Sequence, residues 1–156
     1  MLSSSKIGGN PVRNVQITSR KPKTLFKKLR ADLSLESQLS HATADITQPE
    51  TLEEAFRGAN AIVSLVGILH GSKEAFENIQ WKGAENVAVA SKNVGAKLVH
   101  ISAIGANPQS TIDYARTKAL GEEAVRKACP DATIIRPSIV FGPGDGFFVV
   151  RRSRAI

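Results

Sequence analysis

The sequence holds a single cysteine, Cys129. No internal disulfide can form from one thiol, and a cysteine-based metal site is not expected. The three histidines, His41, His70 and His100, share no ligand spacing with a carboxylate cluster, so no metal centre is expected either. No apolar run approaches the ~20 residues that span a bilayer. A transmembrane segment is therefore not expected, which leaves peripheral membrane association open. Met1 to Asn10 contain no apolar stretch of the kind a secretory signal needs. Internal repeats and low-complexity segments are also missing.

What is present fits one core. The chain has 156 residues, 42% of them hydrophobic and 22% charged, the balance of a globular protein with one domain. Its net charge is +7. Bases gather early, at Arg13, Arg20, Lys21, Lys23, Lys27, Lys28 and Arg30, and again at Arg151, Arg152 and Arg154. Such charge suits a nucleotide phosphate, an anionic lipid or simply solvated surfaces. No aromatic residues interleave with these bases, which argues against a single-strand groove, and no nucleic-acid partner is expected. The Ser- and Lys-rich N-terminus is compatible with organelle targeting.

Hydrophobic periodicity predicts alternating strands and helices. Asn14–Arg20 alternates Val15 and Ile17 with polar residues, as a strand does. Leu25, Phe26, Leu29 and Leu33 place a helical stripe on residues 24–33, and a short strand is expected over 41–45. Pro49 with Glu50, Glu53 and Glu54 signals a helix start, and Gly58 its stop. The run NAIVSLV over 60–66 is nearly all apolar, which predicts a strand buried on both faces. A long helix over 74–93 ends at Gly95, with Phe76, Ile79, Val87, Val89 and Trp81 as packing positions. KLVHIS at 97–102 is the next strand, 112–127 a helix, and ATIIR at 132–136 a strand stopped by Pro137. That rhythm predicts an α/β fold: a Rossmann-like, doubly wound parallel sheet in three αβα layers.

The chemistry concentrates at the carboxyl ends of the predicted strands, where open α/β sheets bind ligands. Tyr114 and Lys118 lie four apart, one helical turn from each other on one face. A lysine ammonium there favours tyrosinate, and so makes the phenol a candidate general acid/base. The same lysine is a candidate for hydrogen-bonding a ribose. Ser102, ending a strand one short loop earlier, is placed to join them. Ile134–Gly144 runs from a buried strand into a Pro/Gly loop, and Pro137 in it is a candidate backbone wall for a nicotinamide ring; an ordinary strand-ending turn reads equally well. Gly67 lets a ligand approach the backbone after the 60–66 strand, or is a plain loop glycine. Asp45 either reaches an adenine or caps a turn. Arg20 ends the first strand where a ribose 2′ position is read, and arginine there favours a 2′-phosphate over a 2′-hydroxyl. That residue tilts the cofactor toward NADP over NAD; exposed bases at a strand end are the other reading.

The stretches NAIVSLVGIL, KLVHISAIGAN and YARTKALGEEAVRKACPDATIIRPSIVFGPGDGFF, in this order, resemble atypical extended short-chain dehydrogenase/reductase (SDR) proteins. Within that group they look most like the subfamily of the NAD(P)H-binding accessory subunit of mitochondrial complex I and its bacterial relatives. A fungal coenzyme Q biosynthesis protein of related fold is a more distant resemblance. The likeness covers residues 14–148 and is densest from Ala59 to Phe148. Tyr114 and Lys118 match the family's Tyr-x-x-x-Lys, Ser102 its serine, and Pro137 and Gly142 its loop after the sixth strand. The resemblance implies a bound nicotinamide dinucleotide that is structural rather than turned over, a mitochondrial location, and a respiratory complex I or quinone-related assembly as partner. A cytoplasmic location is the alternative.

Two departures qualify it. Family members begin with a strand, a Gly-x-x-Gly-x-x-Gly loop and a helix, which together need about thirty residues. Only thirteen precede Asn14, and Gly8-Gly9-Asn10 is no substitute. The loop's amides and the helix N-terminus hold the pyrophosphate, so cofactor binding without them is in question. At the other end VVRRSRAI closes the chain where relatives continue. The expectation is thus a fold lacking its first strand, truncated at both ends: a non-family segment 1–13, a partial NAD(P)-binding domain 14–148 and a basic tail 149–156. Whether the chain is an enzyme stays open. The readings are a non-catalytic accessory or assembly factor of the respiratory chain, an NADP-dependent oxidoreductase or epimerase using Ser102, Tyr114 and Lys118, or a non-functional fragment.

Overall fold

A computed structural model of the chain describes residues 4–7, 10–24 and 39–140. Strands β1 (Ser4–Ile7) and β2 (Asn10–Arg13) form an antiparallel pair with Ser4 opposite Arg13, in a segment where the sequence pattern predicts nothing regular. β3 (Val15–Ser19) and β4 (Leu39–Thr43) are parallel, with Val15 opposite Leu39. The helix expected over 24–33 lies outside the described residues beyond Thr24, and so does the tail from 141 onward.

After β4 come α1 (Glu50–Phe56), β5 (Ala61–Ser64), α2 (Lys73–Phe76), a π-helical segment (Glu77–Lys82), α3 (Gly83–Asn93), β6 (Lys97–Ile101), α4 (Asp113–Ala128) and β7 (Thr133–Ile135). Local chemistry explains the boundaries. α1 follows Pro49, carries Glu50 and Glu53 in its first turn, and ends before Gly58 at φ 76°. Glycine takes that left-handed conformation without a Cβ clash. Gly95, at φ 73°, follows α3 in the same way. α2 starts at Ser72, whose hydroxyl accepts from Ala75 N at 3.2 Å. The predicted long helix over 74–93 is present, but its second turn widens into the π-helix.

β5, β6 and β7 form a second parallel sheet, with Val63 opposite Val99 and Val99 opposite Thr133. The strand sequence within it is β5-β6-β7, and β3-β4 stands apart. No described strand is hydrogen-bonded to both β3 and β5, so the doubly wound arrangement is interrupted where its central strand would lie. The core gathers α1, α3, α4 and one face of the sheet: Leu52, Phe56, Ile62, Val87, Ala88, Leu98 and Val125.

One expectation needs correcting. β5 is not buried on both faces. Ile62 and Ser64 point inward, while Val63 is 57% exposed, and Leu65 and Val66 beyond the strand are exposed too. The helices α3 and α4 cover one face, and no described element covers the other. Among the described residues no helix is long and apolar enough to cross a membrane.

Candidate functional site

The carboxyl ends of β5, β6 and β7 are tied together by main-chain bonds. Ser102 N donates to Ile135 O at 2.8 Å and Ile104 N to Pro137 O at 3.0 Å, which carries the β6–β7 pairing past the strand ends. Asn107 N donates to Ala115 O at 3.1 Å, fastening the loop after β6 to the first turn of α4. Tyr114, Lys118 and Glu122 follow at one-turn intervals on α4, so they share the face that meets the sheet.

Lys118 is buried, and its Nζ donates to Ile101 O at 3.0 Å. Burial lowers its pKa, against the opposing pull of the Glu122 carboxylate. A Cβ added to Gly67 would stand 3.2 Å from both Lys118 Nζ and Gln80 Oε1. The close approach that Gly67 permits is therefore made by two of the chain's own side chains. Gln80, from the π-helical segment, is buried between them. Its Oε1 accepts from Ile68 N at 3.3 Å, and its Nε2 donates to Thr117 Oγ1 at 3.0 Å and to Tyr114 O at 3.4 Å. One amide thus joins the loop after β5 to the turn of α4 that bears Tyr114 and Lys118. The sequence reading missed Gln80; its signal was a polar residue on the inward side of a helix.

Ser102 is buried, and its hydroxyl, which finds no well-aligned partner among the described residues, faces the Glu122 carboxylate. His100, two residues earlier on the same side of β6, is also buried, and neither ring nitrogen has a hydrogen-bond partner among the described residues. Burial, then the Lys118 charge, pushes the His100 pKa down to about 4, with Glu122 opposing. A neutral ring is the consequence at neutral pH. Glu122 is fully buried and binds Arg136 through two bonds of 2.7 Å, with Arg126 a third donor at 3.2 Å. Burial alone would raise its pKa; the Arg136 hydrogen bonds, the Ser102 hydroxyl and the Arg136 and Arg126 charges outweigh that and hold it below the usual range. Arg136 immediately precedes Pro137, so this pair anchors the loop that the sequence marks as a backbone wall.

The other candidates lie at the ends of β3 and β4. Arg20 follows β3 and lines a cavity of about 290 Å³ with Lys21, Pro22, Lys23, Thr24 and Thr43. Three cations around one cavity suit a phosphate group. Asp45 caps a turn: its Oδ1 accepts from Thr47 N at 2.9 Å and Thr47 Oγ1 at 2.8 Å. The Thr47 main-chain bond lowers its pKa, burial opposes, and the Thr47 hydroxyl and Arg20 add to the lowering. Of the two readings of Asp45, the geometry shows the turn cap. The structure therefore brings Gly67, Ser102, Tyr114, Lys118 and Pro137 to one sheet end, and sets Arg20 and Asp45 at the end of the separate β3–β4 pair.

Comparison with known proteins gives this arrangement a context. Residues 13–150 match the NAD(P)H-binding family. A ceramide reductase of Caulobacter vibrioides is 35% identical over 104 residues, 66% of this chain and 33% of that protein. The mitochondrial NADH dehydrogenase [ubiquinone] 1 alpha subcomplex subunit 9 of Rattus norvegicus is 32% identical over 126 residues, 80% of this chain and 33% of the relative. Among solved structures, the dTDP-4-dehydrorhamnose reductase of Bacillus anthracis in complex with NADP aligns with a TM-score of 0.69 at 25% identity, over 89% of this chain and 58% of that one. The chain spans about a third of the length of these curated relatives. Parallel pairing, the ligand-end loops and these matches agree on one conclusion: the chain belongs to the NAD(P)H-binding family of Rossmann-like, SDR-type proteins.

Proposed function

We propose that this chain supplies the nucleotide-site region of a non-catalytic accessory or assembly protein of the respiratory chain, with NADP(H) as a structural ligand. The observation that carries the reading is the state of Lys118. Its ammonium is buried and donates to the Ile101 carbonyl, and Ser102 beside that carbonyl is buried as well. Two of the three expected catalytic groups thus serve the interior. The basic cavity at Arg20, Lys21 and Lys23 supports a 2′-phosphate and hence NADP over NAD. Relatives named as subunits of NADH dehydrogenase support complex I as the partner and the mitochondrion as the location. Titration calorimetry with NADPH and NADH tests the cofactor: tighter binding of NADPH is expected, and equal binding overturns the preference. Co-migration with the membrane complex on native gels tests the partner; migration only as a free chain overturns it.

A second reading, a working NADP-dependent reductase, is favoured by one observation. Tyr114 is only half-buried, at the open end of the sheet. The nicotinamide, when bound, supplies or accepts hydride, while Tyr114 would hold and deliver a proton at its hydroxyl. Replacing Tyr114 by Phe should then abolish turnover and leave NADPH affinity intact. This reading also suits a cytoplasmic location.

A further inference from the structure

The two parallel sheets end on outer edges, of β3 and of β5, that border the interruption in the fold. In a parallel ladder, successive residues turn their main-chain N–H and C=O toward opposite neighbours. Lys97 N donates to Asn60 O, so Asn60, Ile62 and Ser64 address β6, while Ala61 and Val63 turn their main-chain groups the other way. Ala44 N donates to Ser19 O, so Ile17 and Ser19 address β4, while Thr18 turns away. No described strand pairs with either outer edge. Edges of this kind are templates for another strand.

The helices set the interval between them. Ala44, Leu52, Ile62 and Leu98 belong to one buried cluster, and Asn86 Nδ2 on α3 donates to Ile46 O at 2.8 Å. Both sheets are thus mounted on the same layer without pairing to each other. In the doubly wound order a single strand stands in that interval. The residues just before β3 do not supply it. β1 and β2 pair with each other, and seven residues separate Ile7 from Val15, four of them in β2. A crossover between parallel strands takes a dozen or more.

The walls also define the occupant. β3, bounded by Arg13 and Arg20, and β5 carry no charged side chain, and Val15 and Val63 are 44% and 57% exposed. A charged strand between them would lose hydration without gaining an ion-pair partner. We infer that the interval is a docking slot for one extended, uncharged, apolar strand of a separate polypeptide, bound through main-chain hydrogen bonds on both of its edges. A second copy does not fill it with β3 or β5, because each of those strands already has a neighbour on one side. The inference is independent of whether a dinucleotide binds.

The test titrates the whole chain into a fluorescein-labelled peptide, KKIVVIVGKK, and follows anisotropy. Saturable binding is expected. Two derivatives, N-methylated on alternate strand residues, each block one edge of the peptide. Both should bind about tenfold more weakly or worse, because each loses the bonds to one wall. The peptide KKIVEIVGKK should lose as much. Val63→Pro removes an N–H on the slot side and none on the β6 side, and should also weaken binding about tenfold. Where that variant fails to fold, the N-methylated peptides decide the matter on the unaltered chain. In the nitrogen-15-labelled chain, the amides of Thr18, Ala61 and Val63 should shift on addition of the peptide. Absence of saturable binding overturns the inference, as does equal binding of the glutamate peptide. A loss with only one methylated derivative would reduce the slot to a single open edge and overturn it too. So would Overhauser contacts from these amides to the chain's own residues across the slot, or self-association that shifts the same amides without peptide.

Discussion

Arg136 grips Glu122 with two parallel bonds, Nε to Oε1 and Nη2 to Oε2, each 2.7 Å long. The carboxylate is buried and the guanidinium is half-exposed. Removing the exposed partner strands a charge inside, whereas neutralising the buried one does not. Arg136→Ala should therefore lower the melting temperature more than Glu122→Gln does. Loss should also be steeper on acidification in the wild type than in Glu122→Gln. The Glu122 pKa is held down in the fold, so its contribution is present above the unfolded value near 4.5 and disappears as pH falls through the lowered one. Thermal melts at neutral pH decide the first point, and melts taken downward from about pH 4 decide the second.

His100 gives a second pH dependence in a higher window. Its folded pKa of about 4 lies below the ordinary 6.5, so the unfolded chain binds the proton first. Stability is complete above pH 6.5 and falls as pH drops from 6.5 toward 4, by up to about 3 kcal/mol. His100→Leu should flatten that slope, because the Lys118 and Glu122 charges then face no titrating ring. Urea unfolding at several pH values measures it; an unchanged slope in the variant would refute the assignment.

Gly121 and Gly105 should respond oppositely to a methyl group. A Cβ on Gly121 would collide with the main-chain oxygen of Gln80, where α4 crosses the π-helical segment. Gly105 has nothing within 4 Å of such a Cβ. Gly121→Ala should cost about 1–3 kcal/mol by overpacking, and displace Gln80 from Ile68 and Thr117. Gly105→Ala should be neutral or stabilise by up to about 1 kcal/mol through the unfolded chain. Denaturant midpoints of the two variants provide the comparison.

Cofactor choice should depend on the cavity after β3. Arg20→Ala combined with Lys21→Ala is expected to weaken NADPH binding by about tenfold or more, the effect of losing charge-assisted phosphate contacts. NADH binding should change far less. Equal losses for both nucleotides in calorimetry would show that the cavity does not read the 2′ position.

Much of this was legible in the chain itself, for local reasons. Pro49, Gly58 and Gly95 mark helix limits through backbone geometry that no tertiary contact needs to impose. The 112–127 helix with Tyr114 and Lys118 followed from spacing alone. Burial was harder. NAIVSLV is apolar at nearly every position, so it cannot say which face finds a partner, and Val63 is left exposed. The inward aim of Ser102 was readable from parity, since Leu98, His100 and Ser102 alternate on one side of β6 and all are buried. Glu122 was readable likewise, one turn beyond Lys118. The π-helical turn was not: a locally widened turn leaves the 3.6-residue pattern of its flanks intact, and Gln80 owes its role to it.

The missing ladder between β3 and β5 also decides how the molecule comes apart. Among the described residues no strand pairing crosses it, and the elements around the two sheets are linked by Asn86 Nδ2 on Ile46 O at 2.8 Å, by Ile46 packed against Gly83, by Asn93 Nδ2 on Glu53 Oε1 at 2.5 Å and by the core shared by Ala44, Leu52, Ile62 and Leu98. The five parallel strands are then expected to open as two cooperative units, not one. Amides of β3 and β4 should exchange with deuterium through an opening that leaves β5–β7 closed, and tightening the Asn86 clasp would merge the two exchange classes into one.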